Sequence, residues 1–318
     1  MATKAKSASS SCLSFLKDAL LLPTRNLKLF VPVFLLLAVS SFLLQTTNVF
    51  CIQPLSASIL ARANEIKNMD PSSPDYATLA AEILRQVREL AAVVVAVMVF
   101  AMACGLVNQV VAFFAASTTY SGDRYSLPEL FSEVIAKWRR LRGPLVTVAM
   151  AAALNITCML LLAELFALAM MRRHSGPAAA LVAAAVVALP FLAFLYLNVV
   201  FVVAVAASAA DAERRGAGAL QLAWRLMTRV WRKQGCALAV AVHVVAMAPS
   251  PLYAVALGYS KKSVPAGTAL IAAYALLSGL VELFYFAAAT VFYYQAMESE
   301  EVMAHDDYVK VPAGEATV

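Results

Sequence analysis

LAAVVVAVMVFAMACGLVNQVVAFFAA, residues 90–116, runs the thickness of a bilayer without one charged side chain. A hydrocarbon core of about 30 Å takes about 20 residues of α-helix at roughly 1.5 Å each, so the stretch predicts a transmembrane helix. Five more apolar stretches share its character, at 29–50, 145–171, 178–210, 236–257 and 268–294. The composition agrees: 62% of the 318 residues are hydrophobic and 14% charged, with a mean hydropathy of +0.78, outside the range of a water-soluble domain. The fold class expected is all-α, a polytopic membrane protein with six transmembrane helices.

The first stretch is the shortest in apolar terms. Its clean core is Leu29 to Leu44, followed by Gln45, Thr46, Thr47 and Asn48. Ser56-Ala57-Ser58 beyond it resembles a signal-peptide cleavage site, but the long preceding polar region and the apolar continuation Val49 to Ile52 favour a retained helix.

Lys and Arg counts in the connections set the expected orientation. The N-terminal stretch to Lys28 carries five, the 117–144 connection five, the 211–235 connection six and the C-terminal tail one, 17 in all against eight in the alternate connections. Both termini are therefore expected in the cytoplasm, in the plasma membrane or the endomembrane system. The net charge of +6 then reads as attraction to anionic lipid headgroups. Nucleic acid is not an expected partner, because the bases flank membrane helices with no aromatic stacking platform between them.

Residues 1–12 are rich in Ser, Ala and Lys and read as a disordered N-terminus, 13–296 as the six-helix membrane domain, and 297–318 as an acidic, solvated cytoplasmic tail. In the connection between the first two stretches, Ser73-Pro74 is an N-cap and first-turn pair. Leu79, Ile83, Val87 and Leu90 then recur at helical spacing, so this helix is expected to begin outside the bilayer.

A pattern recurs in the basic connections. Leu127, Leu130, Phe131, Val134, Ile135, Trp138 and Leu141 form one amphipathic stripe, and Leu220, Ala223, Trp224, Met227, Val230 and Trp231 another, with Arg225, Arg229 and Arg232 on the polar side. Each stripe ends in an aromatic residue, bases and a glycine, then enters a membrane stretch. A degenerate third copy is Leu13, Leu16 and Leu20 before Arg25 and Lys28. The expected architecture is three units, each an interfacial helix followed by a transmembrane hairpin. Trp138, Arg139, Arg140, Trp231, Arg232 and Lys233 are the candidate lipid-interface residues: an anchor at headgroup level, or a basic collar for anionic lipid or a protein partner.

Polar groups inside the membrane stretches are the other candidates, since an ionisable group facing lipid costs about 2.5 to 3.5 kcal/mol on insertion scales. Asn108, Gln109, Asn155, Asn198, His243 and Glu282 fall roughly 10 to 18 Å from the cytoplasmic ends of their helices and form a candidate inner polar layer. Interhelical hydrogen bonding is one use of such a layer; transport, with Glu282 as the titrating carboxyl, is the other. Pro190, Pro249 and Pro251 are placed to kink the fourth and fifth helices.

No catalytic residue, cofactor site or metal site is expected. No Gly-x-Ser-x-Gly or His-Glu-x-x-His occurs, and His174, His243 and His305 are far apart in the chain.

Ser117-Thr118-Thr119-Tyr120-Ser121-Gly122, Ala204 to Leu226, Val291-Phe292-Tyr293-Tyr294 and Tyr308-Val309-Lys310-Val311-Pro312 resemble a family of plant six-helix integral membrane proteins of unknown function. A fainter likeness runs to the membrane domain of some bacterial glycerophosphodiester phosphodiesterases, a domain without their catalytic residues. Gln295-Ala296 stands where that plant family often has Cys-Lys, and Asp123 where it has Lys. The resemblance implies a plant membrane protein and no particular substrate. The function expected is that of a non-enzymatic protein organising lipid or a partner, the alternative being a small-solute or ion transporter.

Overall fold

Where no water can satisfy a backbone, an apolar run of this length folds as helix, and the computed structural model is all-α, with no strand among the described residues. It describes residues 14–70, 72–136, 138–172, 177–211 and 213–309. These form α1 (Ser14–Leu21), α2 (Leu27–Thr47), α3 (Gln53–Ile66), α4 (Pro74–Tyr120), α5 (Leu127–Ala136), α6 (Trp138–Arg172), α7 (Pro177–Ala210), α8 (Ala217–Arg225), α9 (Arg232–Met247), α10 (Ser250–Ser260) and α11 (Val264–Val309). Among the described residues, six helical stretches are long and apolar enough to cross a membrane: Ser14–Ile66, Pro74–Tyr120, Arg142–Met171, Ala184–Ala210, Arg232–Ser260 and Val264–Glu301. Each overlaps one of the six stretches read from the sequence.

The helix ends follow local chemistry. Ser73 Oγ accepts the Asp75 N–H at 3.2 Å, so the expected cap opens α4. With 47 residues, α4 is roughly 70 Å long, more than twice the hydrocarbon core. Its first turns pair with α3 through the Arg62–Glu82 ion pair. In the connection, Asp70 accepts bonds from the Ser72 N–H and hydroxyl, and the backbone bond holds its carboxyl below the usual carboxylate range. At the other end of α4, the Gly122 N–H bonds to Thr119 O and the Asp123 N–H to Thr118 O. With φ of 93° at Gly122, this is a Schellman terminus, and glycine is needed there for its positive φ.

Two departures from the sequence reading, and the break expected at Pro249 and Pro251, can be located in the helices. α2 does not end near residue 50 but runs through a π turn, Asn48–Ile52, directly into α3. The fifth stretch is interrupted between Met247 and Ser250; Pro249 and Pro251 remove two N–H donors from one turn, whereas single prolines are carried inside α2, α6 and α7. The last helix continues past 296 into the acidic segment, whose Met, Glu and Ala residues are good helix formers.

The chain divides into two compact units, the first containing the described parts of Met1–Val33, Gln109–Val245 and Leu283–Val318, the second Phe34–Asn108 and Ala246–Glu282. In the first, alanines carry the close packing: Ala112, Ala115 and Ala116 of α4, Ala204, Ala206 and Ala207 of α7, and Ala287, Ala288 and Ala289 of α11 are all buried, as close helix approach in an apolar medium requires. Aromatic rings fill the remaining space, with Phe113 and Phe286 edge to face at 5.0 Å.

The second unit packs Val49, Ala256 and Ile271 with Phe42, Phe50, Tyr253, Leu257 and Leu270. Asn48 Nδ2 donates to the Tyr253 hydroxyl at 2.9 Å. Gly279 of α11 lies so close to α2 that a Cβ there would meet Ala38 backbone at 3.0 Å; any larger residue would push the two helices apart.

Candidate functional site

Among the described residues of the first unit, two cavities are each walled in part by one of the short helices that precede a membrane helix. The first depends on how α8 begins. Gly216 has φ of 58°, and its N–H donates to Thr147 Oγ1 at 2.9 Å. That hydroxyl, fully buried, in turn donates to Gly143 O at 2.9 Å. So the glycine that follows the first basic segment and the glycine that opens α8 are held by one threonine of α6.

From this start α8 buries Ala219, Leu222 and Ala223, and the π turn that follows it (Leu226–Val230) buries Leu226 and Met227. This stripe is rotated from the one read in the sequence, sharing only Ala223 and Met227 with it. Leu220 and Trp224 are left outside, Trp224 at 49% exposure. They combine with Leu197, Val200 and Phe201 of α7 to line a groove of about 420 Å³ whose lining also includes Gln221, Arg225 and Arg229. Tyr196 stands edge-on to Trp224 at 6.5 Å, and its hydroxyl donates to Met227 O at 3.0 Å. Arg225 Nη2 pairs with Glu300 Oε1 of α11 at 2.8 Å. An apolar groove edged by two guanidiniums can take a hydrocarbon chain and a phosphate together.

The π turn also explains the position of Trp231. Its wider backbone bond, Trp231 N–H to Leu226 O at 2.8 Å, shifts the phase of the residues that follow. Trp231 thereby packs with Phe15 and Phe292 at ring separations of 6.4 and 5.8 Å. Gly235 allows the return into α9, since a Cβ there would meet Met227 O at 3.0 Å.

The second cavity is polar, about 390 Å³, and lined by Asp18, Leu22, Arg25, Tyr120 and Gln295. Asp18, Leu22 and Arg25 recur at i, i+4 and i+7 and so share one side of α1 and the 3₁₀ turn after it (Pro23–Asn26). Phe15, Ala19 and Leu22, adjoining Asp18 on that face, are buried. Tyr120, one residue inside the Schellman terminus of α4, stacks on Tyr294 with centroids 4.5 Å apart and planes at 10°. Ser117 Oγ and Tyr294 Oη share a 2.7 Å hydrogen bond, and the Gln295 amide donates to Asp18 Oδ2 at 2.9 Å. The segments Ser117 to Gly122 and Val291 to Tyr294, which carry no chemistry when read separately, thus build one wall together.

The residues singled out from the sequence have mixed fates. Of the polar layer, Asn108 is buried and donates to Ser40 Oγ at 2.7 Å. His243 Nδ1 bonds to Ala239 O of its own helix at 2.7 Å. Gln109, Asn155, Asn198 and Glu282 are partly buried, and among the described residues their side chains have no hydrogen-bond partner. Asn108 and Glu282 belong to the second unit, the other four to the first. Of the interface residues, Arg232 and Lys233 are exposed, whereas Trp231 is packed among aromatic rings. The side chains of Trp138, Arg139 and Arg140 lie outside the described ones. Asp18, Tyr120 and Gln295 were missed: the apolar pattern near the N-terminus drew attention to Leu16 and Leu20, not to the polar residues between them.

A family model described as a domain of unknown function, DUF8558, matches residues 11–301, and the chain belongs to this family. No curated protein and no solved structure matches the chain.

Proposed function

We propose that this protein is a non-enzymatic membrane protein that holds anionic lipid at its amphipathic helices, with both termini on the cytoplasmic side. The observation that carries the reading is the groove between α7 and α8. Leu197, Val200, Phe201, Leu220 and Trp224 offer an acyl chain a dry wall, and Arg225 and Arg229 in the same lining match a phosphate better than a neutral headgroup. The loop charge count of 17 against eight supports an orientation in which this groove meets the anionic cytoplasmic leaflet. Transport through the inner polar layer has weaker support, because Asn108 bonds to a hydroxyl of α2 and His243 to a carbonyl of its own helix, as in ordinary packing between and within helices.

Fluorescence quenching tests the groove directly. Trp138→Phe with Trp231→Phe leaves Trp224 as the one remaining tryptophan of three. In nanodiscs, brominated phosphatidylglycerol should quench it more strongly than brominated phosphatidylcholine, and salt should narrow the difference. Equal, salt-insensitive quenching by both lipids rejects the reading.

A further inference from the structure

We infer that the polar cavity beside α1 is a binding site for a zwitterion in which an ammonium and a phosphate are joined by a short linker. The argument starts from two opposite charges that do not meet. Asp18 and Arg25 line the same cavity of about 390 Å³, yet they form no ion pair, while other acid–base neighbours of the described chain do. Their backbone positions are seven residues apart, about 10 Å along the helix, and Leu22, which is fully buried, stands between them. Asp18 Oδ2 instead accepts a hydrogen bond from the Gln295 amide at 2.9 Å.

A cavity that keeps a carboxylate and a guanidinium apart presents one acceptor and one donor across a gap. A simple anion would satisfy Arg25 and face repulsion from Asp18; a simple cation would do the reverse. The Asp18 carboxylate makes its side of the cavity the more negative, which suits an ammonium. Tyr120 supplies an aromatic ring, against which an ammonium gains further attraction. The Arg25 guanidinium has the fork geometry that phosphate oxygens accept. Rigidity favours selectivity here, because Tyr120 is fixed by its stack on Tyr294 and by the Ser117–Tyr294 hydrogen bond. The same chemistry occurs in the headgroup of an aminophospholipid and in a free phosphoethanolamine-type solute.

The test uses the full chain in nanodiscs of phosphatidylglycerol, whose headgroup carries no ammonium, with thermal shift and calorimetry as readouts. Phosphoethanolamine should bind at least about tenfold more tightly than ethanolamine or inorganic phosphate, a comparison within the wild type that no folding defect can imitate. Asp18→Asn and Arg25→Gln should each remove about tenfold of that affinity, and Arg25→Lys should restore part of it. Loss of phosphoethanolamine binding when the nanodisc contains phosphatidylethanolamine identifies the lipid headgroup as the occupant; undiminished binding identifies the free solute, and either supports the site. Equal binding of the zwitterion and one of its halves, or wild-type affinity in both neutralising variants, overturns it.

Discussion

The groove beside α8 and the cavity beside α1 are of nearly equal volume, about 420 and 390 Å³, and both belong to short helices that precede a membrane helix. Their chemistry is opposite. One has apolar walls and arginines of a single sign; the other has a carboxylate and a guanidinium facing the same space. Both helices carry the same kind of apolar repeat, so the repeat itself does not decide what each site can hold. What decides it is the side each helix buries. α8 and the π turn after it hide Ala219, Leu222, Ala223, Leu226 and Met227 and leave Trp224 and two arginines lining the groove, whereas α1 and the turn after it hide Phe15, Ala19 and Leu22 and leave Asp18 and Arg25 at the cavity.

The sharpest way to break this contrast is to reverse the charge of the groove. Arg225→Glu with Arg229→Glu should lower the preference for anionic over neutral lipid by more than about tenfold, taking about 1 kcal/mol per base near an anionic surface. Phosphoethanolamine binding at the α1 cavity should not change. Native mass spectrometry of retained lipid and calorimetry read the two separately, and a parallel loss of both would show that the sites are one.

A second substitution attacks the start of α8. Thr147→Val leaves the Gly216 N–H buried without an acceptor, which costs about 1 to 3 kcal/mol. The expected result is a lower melting temperature together with weaker quenching of Trp224 by anionic lipid. An unchanged melting temperature would mean that the N–H finds another partner and that the groove does not depend on Thr147.

The smallest effect should come from Glu300→Gln. The Arg225–Glu300 pair is partly exposed, with side chains at 49% and 26%, so its loss should change stability by no more than about 1 kcal/mol. Arg225 would then be released to a lipid phosphate, and anionic-lipid binding should rise by less than about fivefold. A fall in binding would instead make Glu300 a support that positions Arg225.

Much of the fold was legible because it rests on one-dimensional quantities. The length and hydropathy of the apolar stretches marked all six membrane-length helices, and Ser73-Pro74 marked the start of α4. The sites were less legible. The stripe expected on α8 assumed an uninterrupted α-helix, but the π turn at Leu226–Val230 changes the phase, rotating Trp231 toward Phe15 and Phe292. Nothing in the local composition announces a π turn, because its backbone bond is selected by what the side chains pack against. The polar layer was assembled from depth along separate helices, and depth alone does not say which polar groups meet.

By itself, then, the sequence determined the medium, the helical class, the number of membrane-length segments and the presence of short amphipathic helices before three of them. These depend on average hydropathy and on local backbone chemistry, which act within one segment. Only the tertiary structure decided that Ser117, Tyr120 and Tyr294 form one wall, that Gln295 bonds to Asp18, and that Thr147 of α6 holds the glycine that opens α8. Those contacts link residues from 69 to 277 positions apart in the chain. They arise from the packing of whole helices against one another, which no periodicity within a single helix encodes.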